Sequence, residues 1–297
     1  MKVLILGGSG MLGHKLWQVL ARRFDTYVTL RQSFNHYRRY NLFDPDHTLE
    51  GVSVEDFDSV VRAIDKVQPN DVVNCIGIVK QVEKARDPLT SIAINALFPH
   101  QLAQLCLSRG FRLIQISTDC VFSGRQGNYT EDDLPDAEDL YGKTKFLGEV
   151  SHQGCLTIRT SMVGRELETS YGLVEWFLGQ AGNTVSGYSK AIFSGLTTNS
   201  LAEVIGRIIA EHSDMQGVWH VASEPISKFE LLSLIKELYR LDVQIDRDET
   251  VVYNRSLNAE RFRRATGFVP PPWNEMIEQM YLDPTKYTEL RRPYAKR

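Results

Sequence analysis

A chain of 297 residues with 42% hydrophobic and 24% charged residues has an ordinary globular composition, and is long enough to bury a core without metal or disulfide staples. A formal net charge of −3 gives no electrostatic reason to expect nucleic acid, and no run approaches the ~18 apolar residues that span a bilayer. Cys75, Cys106, Cys120 and Cys155 form no CxxC pair or metal-ligand cluster, and the apolar run at the amino terminus is too short for a signal peptide. The expectation is a soluble, cytoplasmic protein with reduced thiols, no metal and no membrane contact.

The first half alternates short apolar runs with helical patterns, as stacked βαβ units on a parallel sheet do. Strands are predicted at Val3–Leu6, Thr26–Leu30, Asp71–Ile76, Arg112–Ser117 and Leu156–Thr160, and helices at Leu12–Arg23, Phe57–Val67, Leu89–Ser108 and Tyr141–Val150. After about residue 165 glycines, tyrosines and threonines interleave through Gly179–Thr198. A helix near Ser200–Glu211 and a strand at Gly217–Ala222 follow, then a helix over Ser227–Tyr239 with Ser227 as cap and Glu230 three residues on. Arg255–Trp273 reads as irregular, and the basic Arg291–Arg297 as a solvated tail.

Gly7-Gly8-Ser9-Gly10-Met11-Leu12-Gly13 lies between the first strand and the first helix, where a dinucleotide fold needs a tight turn and close backbone approach to a pyrophosphate. Gly7, Gly10, Met11, Leu12 and Gly13 are therefore candidates for cofactor binding, with the helix dipole facing the phosphates. The second strand ends in Arg31-Gln32-Ser33 with no carboxylate, which favours NADPH over NADH. Arg38 and Arg39 are candidate helpers, and Asp44 a candidate contact for the adenine. The fold class is α/β: a Rossmann-type doubly wound parallel sheet in residues 1–165, completed by segments returning from the second half, and a smaller α/β domain mainly in residues 166–297.

Tyr141-Gly142-Lys143-Thr144-Lys145 carries the strongest chemical signal. Tyr141 and Lys145 stand four apart at the start of a helix and share a face, whereas Lys143 points away. A free phenol with its pKa near ~10 is a poor acid–base group at neutral pH, and a neighbouring ammonium is expected to lower it. Ser117-Thr118-Asp119 follows a strand, placing the Thr118 hydroxyl at the carboxyl edge of the sheet to hold a substrate carbonyl.

Together these motifs resemble the dTDP-4-dehydrorhamnose reductase family, a branch of the extended short-chain dehydrogenase/reductases. That family carries Ser-Thr-Asp-Tyr-Val-Phe and Tyr-Gly-x-(Thr/Ser)-Lys-x-x-Gly-Glu, against Ser117–Phe122 and Tyr141–Glu149 here. The similarity extends to Val82-Glu83-Lys84-Ala85, Asn95, Arg159-Thr160-Ser161 and Gly217-Val218-Trp219-His220-Val221. It implies a triad of Thr118, Tyr141 and Lys145, with Asn95 in support and Asn74 and Gly77 near the nicotinamide. The second domain would bind a nucleotide sugar through Lys190, Phe193, Ser194, Thr197 and Arg255, with Arg261 as a further diphosphate candidate. It also implies reduction of a 4-keto group on a nucleotide-linked deoxy sugar, in polysaccharide biosynthesis, by a possible homodimer. Cys120 departs from the family's tyrosine and Met162 from its frequent tryptophan, which leaves sugar and base open. Two other readings are an epimerase or dehydratase on the same scaffold and a non-catalytic NADP-binding regulatory subunit.

Overall fold

The structure, a computed structural model, describes residues 1–79 and 83–287. Val82 and the basic segment Arg291–Arg297 lie outside the described residues. Seven parallel strands make the central sheet: β1 (Lys2–Leu6), β2 (Asp25–Leu30), β3 (Thr48–Glu50), β4 (Asp71–Asn74), β5 (Arg112–Ile116), β6 (Cys155–Arg159) and β7 (Gly217–His220). Their order across the sheet is β7-β6-β5-β4-β1-β2-β3. Strands such as β4 and β6 are buried along their whole length, which is why they read as unbroken apolar runs. The sheet is Rossmann-like, and its order reverses between β1 and β4, opening a crevice beyond their carboxyl ends. β7, from the second half of the chain, pairs with β6.

Three differences from the sequence expectation have physical causes. The helix expected over 89–108 is a short turn at Pro88–Ser91, a π-helical segment at Ile92–Leu97 and an α-helix at Phe98–Arg109. Pro99 has no N–H to give the carbonyl of Asn95, and the Phe98 N–H bonds to Ala93 instead, so the ladder slips by one residue. The region 255–273 contains a helix at Glu260–Thr266, stopped by Gly267 at φ +66°, and the proline run leads into another at Trp273–Tyr281. β3 escaped notice because it is a three-residue edge strand of mixed polarity.

In the second half, Thr184–Tyr188 pairs with Gln244–Asp248, and Ala191–Phe193 lies between Ile226–Ser227 and Tyr253–Asn254. The helix Lys228–Tyr239 begins with the expected capping box of Ser227 and Glu230. The helix Thr198–Glu211 packs on the first helix, Gly13–Leu20, where Gly206 lies against Leu20. No described helix is long and apolar enough to cross a membrane, and all four cysteines are free.

Candidate active site

The glycine loop joins β1 to the helix Gly13–Leu20 at the reversal of strand order. Gly7 takes φ +83°, and the Gly7 and Gly8 N–H groups bond the Thr29 hydroxyl and carbonyl at 3.1 and 2.9 Å. A Cβ on Gly13 would lie 2.1 Å from the Gly7 carbonyl oxygen, so only glycine lets the helix begin so close to the turn. A Cβ on Gly8 would come within 1.9 Å of Val28, a constraint tighter than that at Gly10 and missed by the Gly-x-x-Gly-x-x-Gly spacing. No side chain caps the helix and its first turn holds no acid, so the loop suits a phosphate group. Leu12 is a core residue, and the Met11 methyl lies over Gly172. Both bear on the loop through packing.

Arg31 stands exposed at the carboxyl end of β2. Beside it the Tyr37 phenol is pushed up by burial and drawn back by the Ser9 hydroxyl of the glycine loop and by the Arg31 charge. Arg39 is bonded to Glu168 at 3.2 Å, whereas Arg38 is exposed. Asp44 does not come to this crevice. It precedes β3 at the amino edge of the sheet, capping a turn through Asp46 N–H at 3.0 Å and holding His47, which in turn faces Asp25 at the start of β2. The carboxyl edge of β3 is Glu50, whose carboxylate accepts from the Phe34 N–H at 2.6 Å.

At the carboxyl end of β4, Asn74 is fully buried and committed: its Nδ2 donates to Gln115 at 2.7 Å and its Oδ1 accepts from Ile76 N–H at 3.0 Å. It shapes the turn and offers no open atom. Gly77 is exposed, and a Cβ there would sit 3.3 Å from Asn95 Oδ1 and 3.8 Å from Lys145 Nζ. Asn95 clamps Ile78 at both backbone groups, accepting at 2.9 Å and donating at 3.0 Å. The π-helical segment presents this side chain, so Pro99 acts on the site through Asn95.

Tyr141, Thr144 and Lys145 lie on the inner face of the helix Leu140–Leu147, while Lys143 is exposed. The two glycines of this motif are close contacts: a Cβ on Gly142 would meet the Cys120 carbonyl at 2.3 Å, and one on Gly148 the Asn95 carbonyl at 1.9 Å. Lys145 Nζ donates to the Ile116 carbonyl at 2.7 Å, and burial lowers its pKa to about 8 against the pull of Glu149. The Tyr141 phenol is raised above its ordinary value by burial, with Cys120 adding to the shift and the Thr118 hydroxyl opposing it. This corrects the expectation of a lowered phenol: Lys145 is turned to the end of β5, and desolvation of the ring dominates. Thr118 Oγ1 accepts from Cys120 N–H at 3.1 Å, which fixes the hydroxyl at the carboxyl edge.

Behind this loop Glu149 binds Ser117 Oγ at 2.7 Å and Arg159 at 2.9 and 2.8 Å. The Arg159 guanidinium lies 5.3 Å from the Phe122 ring centroid and donates to His220 Nε2 at 3.3 Å. The terminal Glu of the motif is thus a strut for the loop that follows β5, a role the spacing alone did not disclose.

Of the residues expected in a sugar pocket, Thr118 and Arg255 come to the same loop. Arg255 Nε donates to the Phe122 carbonyl at 2.9 Å, and its NH1 lies 3.8 Å from Cys120 Sγ. Gly124, at φ +91°, makes room for it, since a Cβ there would meet Arg255 Cγ at 3.0 Å. The others are engaged elsewhere. Phe193 is core, Ser194 accepts from Leu257 N–H at 2.8 Å, and Thr197 caps the helix Thr198–Glu211. Lys190 is exposed and paired with Glu249 at 2.9 Å, and Arg261 stacks on Trp219 outside β7. Strand ends and caps use the same small polar residues as ligand sites, so sequence could not separate the two roles.

The sequence profile of the family described as RmlD substrate binding domain matches residues 1–285. The dTDP-4-dehydrorhamnose reductase of Streptomyces griseus is 33% identical over 147 residues, which cover 49% of this chain and 43% of that one. Methionine adenosyltransferase 2 subunit beta of Danio rerio is 28% identical over 258 residues, 81% of this chain and 74% of that one. A solved structure titled hypothetical dTDP-4-dehydrorhamnose reductase, from Sulfolobus tokodaii, superposes with a TM-score of 0.77 at 26% identity, covering 92% of this chain and 98% of that one.

Proposed function

The chain belongs to the RmlD substrate-binding-domain family of extended short-chain oxidoreductases, and from that premise we propose that it reduces a 4-keto group on a nucleotide-linked deoxy sugar with NADPH. The observation that carries this reading is the convergence of Thr118, Tyr141 and Lys145 at the carboxyl edge of β5, beside the crevice that the glycine loop opens.

The residues present fit a dinucleotide. The loop Gly7–Gly13 has no room for side chains at Gly8 and Gly13 and would hold the diphosphate, Arg31 a 2′-phosphate, and Lys145 the nicotinamide ribose next to Gly77. NADPH, when bound, supplies the hydride. Burial keeps the Tyr141 phenol protonated, so it is set to donate its proton to the keto oxygen as charge develops there. The Thr118 hydroxyl holds the same oxygen. Arg255 would grip the diphosphate of the sugar nucleotide. It is half-buried with no carboxylate within 4.0 Å among the described residues, whereas Arg112, Arg159 and Arg165 each face one. A guanidinium so placed favours an anion, and its planar fork matches two phosphate oxygens.

The test is NADPH oxidation, followed by absorbance, against dTDP-, UDP- and GDP-linked 4-keto-6-deoxy sugars. Turnover of one of them establishes the reductase and names its substrate. The likeness to methionine adenosyltransferase 2 subunit beta supports a second reading, a nucleotide-binding regulatory subunit. Tight NADPH binding without turnover of any sugar favours that reading.

A further inference from the structure

We propose that the segment Asp283–Tyr287 is a working part of the dinucleotide site, with the Tyr287 hydroxyl acting through His14 to position Gly10 and the phosphate-binding turn. The inference rests on the dinucleotide reading of the glycine loop and adds to it two positioning residues, His14 and Tyr287, that no motif contains.

The path is continuous, and His14 and Tyr287 are both buried. His14 Nδ1 lies 2.8 Å from the Gly10 carbonyl oxygen, and His14 Nε2 lies 3.0 Å from the Tyr287 hydroxyl. A carbonyl only accepts, so Nδ1 carries the hydrogen, Nε2 is the acceptor, and Tyr287 donates to it. The ring is neutral, since burial and the Lys15 charge lower its pKa to about 3. The relay Tyr287 → His14 → Gly10 therefore has one direction and ends on the glycine turn. Gly10 N–H in turn bonds the Gly7 carbonyl at 3.1 Å, so moving one carbonyl shifts the whole turn.

The residues around the relay hold the segment in place without regular secondary structure. Tyr287 is 2% exposed although the chain from Asp283 to Tyr287 is neither helix nor strand. The Lys15 ammonium pairs with Asp283 and bonds Gln18 at 2.6 Å, while Asn199 donates to Asp283 at 2.9 Å. The Arg165 guanidinium, paired with Glu175 at 2.6 Å, lies 4.5 Å from the Tyr287 ring centroid. The cluster meets the loop again where Gly172, bonded to Glu166 at 3.2 Å, lies under the Met11 methyl. A cluster that served packing alone would need no hydrogen bond to the glycine turn. Here the Tyr287 phenol reaches the turn through His14.

Docking of the segment and binding of the dinucleotide are then linked, and linkage is reciprocal. Tyr287→Phe keeps the ring and removes the hydroxyl. It should weaken NADPH binding about fivefold, the scale of one buried hydrogen bond, measured by energy transfer from protein to NADPH. KM for NADPH should rise with kcat and the sugar's KM unchanged, a split that general loosening would not produce. In the wild-type protein, saturating NADPH should slow amide exchange at residues 283–287. Unchanged NADPH affinity in Tyr287→Phe, a uniform fall in kcat, or no protection of the segment in a wild type that binds NADPH would overturn the inference alone. A wild type that binds no NADPH overturns it together with the functional reading.

Discussion

Two buried ion clusters stand behind the two halves of the site, and they are built differently. Behind the loop that carries Thr118, Glu149 and Arg159 pair at 2.8 Å, with both side chains 5% exposed. Behind the glycine loop, Lys15 pairs with Asp283, at 2% and 6% exposure. The first cluster joins residues ten apart in the chain, the second residues 268 apart. The cations also differ in kind. A guanidinium cannot shed its proton in a protein, whereas a buried ammonium can, and Lys15 is already lowered to about 8 by burial. The Thr118 side of the site therefore rests on a fixed charge, and the glycine-loop side pairs Asp283 with a charge that can be discharged.

Removing the anion from each cluster tests that contrast most severely. Glu149→Ala strands a guanidinium that has no way to neutralise and should cost about 3–5 kcal/mol of stability. Asp283→Ala strands an ammonium that can release its proton, so its cost should be smaller, about 2 kcal/mol, and should shrink further between pH 7 and 9. Urea unfolding of both variants at the two pH values measures this. Equal costs with no pH dependence would show that the nature of the cation is irrelevant.

The same contrast explains what the sequence disclosed. Glu149 and Arg159 sit inside motifs that mark the site, so their neighbourhood was legible even where their roles were not. The parallel strands and the face shared by Tyr141 and Lys145 were legible too, because local periodicity sets both. Asp283 and Tyr287 follow no pattern, and only the folded chain brings them to His14 and Lys15. The π-helical slip at Ile92–Leu97 was hidden for another reason: Pro99 reads equally well as an early helical residue, and the freed Asn95 carbonyl matters only because Gly148 packs on it. Asp44 was misassigned because β3, too short to show a period, left the direction of its loop undefined.

The proposed catalytic half should also show the sharper functional dependence. Tyr141→Phe removes the proposed proton donor and should lower turnover by roughly 10²-fold or more while NADPH affinity holds. Lys143→Ala, on the exposed face of the same helix, should leave both within twofold. Steady-state kinetics beside an NADPH titration distinguish these outcomes, and comparable losses in the two variants would defeat the argument from helix faces.

Acid should act on both clusters, because each contains a histidine held neutral. His14 and His220 are both lowered to about 3, chiefly by burial, with Lys15 and Arg159 respectively adding to the shift. Unfolded, each would titrate near its ordinary ~6.5. The folded pKa is depressed, so the unfolded chain binds more protons throughout the interval between the two values. The stability this gives is complete above pH 6.5 and is lost as pH falls towards 3. Asp283, lowered to about 2 by its Lys15 pair despite burial, responds only below its unfolded value near ~3.9 and leaves the upper part of this window to the histidines. Between pH 7 and 5.5 the two should together cost about 2–3 kcal/mol, read as a falling Tm. His14→Gln and His220→Gln should each flatten that slope, whatever they do to the Tm at pH 7. The two effects should add in the double variant if the clusters, built on different helices and strands, are independent. A slope unchanged in both single variants would place the acid sensitivity elsewhere, and a double variant flatter or steeper than the sum would mean the two halves of the site are coupled through the sheet that separates them.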